Sequence, residues 1–152
     1  MIKNTALLLF FIALCLSAGI IGSYFTYSSL ENWYPYLKKP FFNPPNYLFG
    51  PVWTVLYILM GISIYLVWGN KKVNLNWFWT QLGLNVFWSV AFFGLKSPLI
   101  GFIVIIATWF TICKTIQEFY KYNKMAAYLL IPYIAWVTFA TLLNFSIMIL
   151  NF

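Results

Sequence analysis

Four stretches of the chain, Thr5 to Tyr27, Tyr47 to Trp68, Leu75 to Leu95 and Met125 to Leu150, contain no charged residue, and a fifth, Pro98 to Gln117, contains only Lys114. A bilayer core about 30 Å thick is crossed by roughly 20 apolar residues as a helix, so each stretch is long enough to span one. The runs are continuous and do not alternate at period two, which disfavours a transmembrane barrel. Charged residues make up 7% of the 152 residues, against about 25% in soluble domains. The expectation is an all-α integral membrane protein. It is a single five-helix transmembrane domain over 1–152, with spans at 5–27, 47–68, 75–95, 98–117 and 125–150. The first run is too long for the apolar part of a cleaved signal peptide and reads as a permanent helix.

All nine basic residues are lysines. With the spans in order, Lys3, Lys71, Lys72, Lys114, Lys121 and Lys124 fall on one side, and Lys38, Lys39 and Lys96 on the other. Lysine is enriched on cytoplasmic flanks, so the amino terminus is expected in the cytoplasm and the first loop outside. The net charge of +7 is flank charge of this kind and points away from a nucleic-acid partner. Lys114 lies within about a turn of its helix end, where its stem can snorkel. Cys15 and Cys113 have no metal-binding or redox spacing and read as small packing residues.

The chain has no His, Arg or Asp, and its only acids are Glu31 and Glu118. These fall at opposite membrane faces, roughly 30 Å apart, and cannot form an acid/base pair. Nucleophile triads and His-based metal sites are excluded, and no mid-membrane acid is available for proton-coupled transport. No metal site is expected and no cofactor is required.

What remains is aromatic: Phe, Trp and Tyr make up 23% of the chain. In the loop at 28–46, Pro35, Pro40, Pro44 and Pro45 restrict the backbone, and Tyr34, Tyr36, Phe41 and Phe42 offer apolar surface that must pack on something. This segment is expected to be a structured lid over a pocket between helices. Trp33, Trp68, Trp77 and Trp79 lie at helix ends, where indoles anchor at headgroup level. Trp53, Trp88, Trp109 and Trp136 lie deeper. Helical spacing groups Trp53 with Tyr57 and Met60, Asn85 with Trp88, Ser89 and Phe92, and Trp136 with Ala140 and Leu143. Asn85 and Asn144, deep in their spans, need a partner across helices or on a ligand, and both options stay open. Pro132 is expected to kink the fifth helix. Gly19, Gly22, Gly61 and Gly94 read as points of close helix approach.

The order of these motifs resembles the TspO/MBR family over nearly the whole chain. The residues that carry the likeness begin with Trp33-Tyr34, Leu37-Lys38-Lys39-Pro40, Pro44-Pro45 and Gly50-Pro51-Val52-Trp53 with Leu56-Tyr57. They continue through Gln81-Leu82-Gly83-Leu84-Asn85, Trp88 and Phe92-Phe93-Gly94 to Leu130-Ile131-Pro132-Tyr133-Ile134-Ala135-Trp136, Phe139-Ala140-Thr141 and Leu143-Asn144. The resemblance implies five tightly packed helices, a homodimer, a bacterial-type member in the cell membrane, and a pocket capped by the first loop. It implies tetrapyrrole ligands such as protoporphyrin and haem, and synthetic ligands of the benzodiazepine and isoquinoline carboxamide types. The implied ligand-binding residues are Trp53, Tyr57, Asn85, Trp88, Trp136 and Ala140. The implied lid residues are Trp33, Tyr34, Lys38, Lys39, Pro40, Phe42, Pro44 and Pro45. In some bacterial members the tryptophans matching Trp53 and Trp136 are implicated in light-dependent porphyrin degradation. The sequence departs from the family pattern at Phe42, where Trp is usual, and at Asn32, where a basic residue is common. Phe145 replaces the Tyr of the cholesterol-type motif, which removes support for that ligand. The fourth helix lacks the family's frequent Asp.

The reading that follows is a receptor- or sensor-like membrane protein whose partner is a tetrapyrrole or other flat hydrophobic molecule, with membrane lipid around it. The runner-up is a light-dependent porphyrin-degrading enzyme in which Trp53 and Trp136 are catalytic. A transporter of porphyrin or lipid comes third.

Overall fold

The ends of the helices are set by local chemistry, and the computed structural model describes residues 4–152. Lys3, one of the residues in the charge balance, lies outside the described residues. Helix α1 (Thr5–Tyr27) starts where the Asn4 side chain accepts the Leu7 N–H. A one-turn helix α2 (Ser29–Asn32) and a 3₁₀ turn at Tyr34–Tyr36 follow, so part of the 28–46 loop is itself helical. Helix α3 (Asn46–Trp68) begins directly after Pro44-Pro45, and α4 (Asn76–Ser89) runs on into a π turn at Val90–Gly94. Helix α5 (Pro98–Tyr120) is capped by Ser97, and α6 (Lys124–Tyr128) by Asn123. Helix α7 (Ile131–Leu150) completes the chain. The last apolar run is therefore two helices and not one kinked helix. The break falls at Leu129-Leu130, and Pro132 sits in the first turn of α7, where its missing N–H costs nothing.

Four helical stretches are long and apolar enough to cross a membrane: Thr5–Asn32, Asn46–Trp68, Pro98–Tyr120 and Lys124–Leu150. No strand occurs among the described residues. The protein is an integral membrane protein built as a helical bundle. The α-helical part of α4 is shorter, 14 residues, and carries the buried polar side chains Gln81 and Asn85.

Lipid tails are as apolar as leucine, so helices in a bilayer associate through close packing and hydrogen bonds and gain little from burial. Helix α1 packs along α3 and α4, α4 along α5, and α5 along α7. Two glycines set the contact of α1 with α3. A Cβ at Gly61 would lie 2.6 Å from the Ile12 Cα, and one at Gly19 would lie 2.5 Å from the Tyr57 ring. Gly101, absent from the expected set, does the same for α5, where a Cβ would meet Phe92 at 2.9 Å.

The π turn at the end of α4 leaves carbonyls that must be satisfied elsewhere. Leu95 N donates back to Val90 O (2.7 Å), and the Ser29 hydroxyl donates to Phe93 O (2.6 Å), fastening the first loop to this turn. Lys96, at φ 52°, reverses the chain before Ser97 caps α5. At the opposite end of the bundle, Asn74 N donates to Glu118, which also pairs with Lys121 at 3.1 Å.

Gly61→Val is expected to force α1 off α3 because the clash is with backbone, at about 1–3 kcal/mol. Gly83→Ala meets nothing within 4 Å and should be neutral. Thermal unfolding in detergent, followed by a thiol-reactive dye at the fully buried Cys15, checks both, with a lower midpoint for Gly61→Val alone.

Candidate functional site

The halves of α1, α3, α4, α5 and α7 nearest the first loop surround a cavity of about 570 Å³, within the 300–1,000 Å³ range of ligand pockets. All six candidate ligand residues line it: Trp53 and Tyr57 from α3, Asn85 and Trp88 from α4, and Trp136 and Ala140 from α7. Among the described residues, the lining contains no Lys, Glu, Cys or Met.

Its polar groups are mostly committed to one another. The Tyr57 hydroxyl donates to Asn85 Oδ1 at 2.5 Å, Asn85 Nδ2 donates to the Tyr133 hydroxyl at 2.8 Å, and Tyr133 donates to Gln81 Oε1 at 2.7 Å. This chain of bonds ties α3, α4 and α7 together beneath the cavity. A second set joins α4, α7 and α5, with Trp88 Nε1 donating to Asn144 Oδ1 and Asn144 Nδ2 to Pro98 O, both at 2.9 Å. Asn85 and Asn144 are therefore interhelical ties. The hydroxyls of Ser23, Thr26, Thr54 and Thr108 bond back to carbonyls of their own helices, which leaves their apolar atoms toward the space. Among the described residues, two buried side-chain nitrogens have no partner: Trp136 Nε1 and Gln81 Nε2. Of these two residues, only Trp136 lines the cavity.

The aromatic groups are layered. Trp53 stacks on Tyr57 (5.7 Å, 30°) and meets Tyr133 edge-on (6.2 Å), while Trp136 meets Phe49 edge-on (6.0 Å). Trp88 stacks on Phe92 at 5.1 Å.

Of the candidate lid residues, Tyr34 alone lines the cavity. Trp33 packs on Phe92 and Phe93, and Phe42 packs edge-on against Phe139 at 6.1 Å. The Lys39 ammonium sits 4.6 Å above the Tyr34 ring and donates to Leu37 O. Burial raises the Tyr34 phenol above its ordinary pKa, so it remains a neutral donor to Asn43. Asn43 in turn closes the turn around Pro40 and Pro44, and Pro45 leads into α3. Lys38 is held through its backbone. Its N–H donates to Asn151 Oδ1 (2.9 Å), and its carbonyl accepts from Asn151 Nδ2 (2.8 Å). Asn151, Tyr133 and Gln81 were not among the expected site residues. The last two do stand in the motifs that carry the family likeness, and helical spacing adds that Gln81 lies one turn before Asn85 and Tyr133 one before Trp136.

An aromatic cavity set inside a helical membrane bundle defines a membrane protein with an apolar pocket between its helices. The comparison with known proteins is consistent with that class. The chain belongs to the TspO/MBR family, whose model matches residues 11–150. It is 48% identical to "Tryptophan-rich protein TspO" of Archaeoglobus fulgidus, over 90% of this chain and 91% of that one. It is 34% identical to "Tryptophan-rich sensory protein" of Cereibacter sphaeroides (96% and 92% covered) and 34% identical to "Translocator protein" of Homo sapiens (84% and 79%).

Tyr133→Phe strips partners from both Asn85 and Gln81, whereas Tyr57→Phe strips only one. Each orphaned buried group costs about 1–3 kcal/mol, so Tyr133→Phe is expected to be the more destabilising of the two in equilibrium unfolding by denaturant.

Proposed function

We propose that the protein is a five-span membrane receptor or sensor that binds a flat hydrophobic molecule of the tetrapyrrole type in this cavity, under the first loop. On this reading the fifth span is α4 with its π turn. The amino terminus is cytoplasmic and the loop lies outside, with Lys38, Lys39 and Lys96 at that end. The observation that carries the reading is the pairing of a layered aromatic lining with a buried, unpartnered donor, Trp136 Nε1. Such a site favours a planar π-system with one hydrogen-bond acceptor near its edge. Lys39, held against the cavity residue Tyr34, lies where a carboxylate on the rim of a porphyrin would find a cation.

The donor set argues against haem in favour of a metal-free tetrapyrrole. Tyr34 and Tyr57 are the only lining residues with an iron-ligating atom of the usual kinds, and both hydroxyls are already engaged. The photochemical reading is supported by one observation, that Trp53 and Trp136 share the lining. A bound porphyrin would supply the light-driven chemistry, since the lining holds no acid or base.

Titrating the purified protein with protoporphyrin in the dark is expected to quench Trp fluorescence saturably at about one ligand per chain. Trp136→Phe should raise Kd roughly fivefold, the worth of about one hydrogen bond of 1 kcal/mol. The Trp53→Phe/Trp136→Phe pair should abolish saturation. Linear quenching that ignores these substitutions would reject the site. Illumination of the same complex favours the enzyme only if it yields one product that either substitution removes.

A further inference from the structure

The exposed residues of the cavity wall all come from two helices. Ile20 (70% exposed) and Ser23 belong to α1, and Asn46, Gly50 and Thr54 to α3. The wall residues from α5, including Ile105 and Thr108, are buried, as are Leu143, Asn144 and Ile147 of α7. The cavity therefore opens between α1 and α3. Below this opening the two helices are locked together at Gly19–Tyr57 and Gly61–Ile12.

The position of the mouth matters. The mouth runs from Asn46, at the start of α3, to Ile20 and Thr54, about 10–12 Å along their helices from the ends nearest the first loop, so its deeper part lies at hydrocarbon depth. No charged residue borders the mouth, and Ser23, Thr26 and Thr54 have turned their hydroxyls back onto Ile20, Gly22 and Gly50 carbonyls. The deeper rim is thus finished for contact with lipid. The alternative way in, under the first loop, is stitched shut. Asn151 holds both backbone polar groups of Lys38, Ser29 holds Phe93 O, and Trp33 and Phe42 are packed on Phe92 and Phe139.

We propose that the cavity fills sideways, through the gap between α1 and α3, with a flat apolar ligand already dissolved in the half of the bilayer nearest the first loop. The ligand does not pass from water beneath that loop. This route rests on the cavity being the binding site proposed above.

Two measurements test it. The first uses the wild-type protein in phosphatidylcholine vesicles containing a fatty acid with a mid-chain diazirine. After illumination, adducts are expected on the buried wall residues Ile105 or Leu143 and are expected to vanish in Ser23→Phe/Thr54→Phe. Adducts confined to outward residues such as Ile103 and Leu142 would overturn the proposal. The second follows protoporphyrin transfer from donor vesicles by stopped-flow quenching. Filling the mouth with the same two phenylalanines should slow arrival and departure at least tenfold, while Asn151→Ala, which frees the loop, should change both less than twofold. The reverse pattern would overturn the proposal. If the photolabel reaches Ile105 but protoporphyrin never saturates, the route stands and the ligand is wrong. If protoporphyrin saturates while the label stays outside, the ligand stands and the route is wrong.

Discussion

Inside a bilayer, a buried phenol or amide that lacks a partner has no water to turn to, and apolar packing between helices competes with equally apolar lipid. The hydrogen-bond chain from Tyr57 through Asn85 and Tyr133 to Gln81 is therefore the tie on which the other features depend. It crosses three helices at one level. By fixing Tyr57 and Tyr133 it also fixes Trp53, which stacks on the first and meets the second edge-on. The floor of the cavity is thus made of side chains whose polar ends are spent on structure and whose aromatic faces are left for something else.

The same division holds at the roof. The first loop is fastened by backbone hydrogen bonds to Asn151 and by the Ser29 hydroxyl, while its rings lie on the π turn of α4. Very little of that loop faces the cavity. Rigidity at the roof and an opening at the side belong together, because a loop with this many fixings makes a poor door.

Much of this architecture was legible in the sequence. Charge-free runs gave the helices, and helical spacing together with the family likeness grouped the six residues that line one cavity. Other features were not legible, for identifiable reasons. Asn85 and Asn144 stand out as deep amides, but periodicity places a residue on a face and does not say which residue of another helix meets it, so the bonds of Tyr133 to Asn85 and Gln81 are not legible even though both residues stand in the motifs. The break in the last apolar run falls at Leu129-Leu130, two strong helix formers, and nearby Pro132 drew attention away from it. Val-Ala-Phe-Phe-Gly carries no mark of a π turn, since every residue in it suits an α-helix nearly as well. Asn151 near the carboxyl end gave no sign that it serves a loop more than a hundred residues earlier.

The π turn also bears on how a bundle of this type can change. In an α-helix, neighbouring side chains point about 100° apart, and the wider turn narrows that angle between Phe92 and Phe93. Both are buried and line the cavity. Lineages could therefore remodel this wall by gaining or losing a residue within Val90–Gly94, a length change absorbed at the end of one helix. Such an indel would turn the two rings relative to each other while the rest of the bundle kept its register.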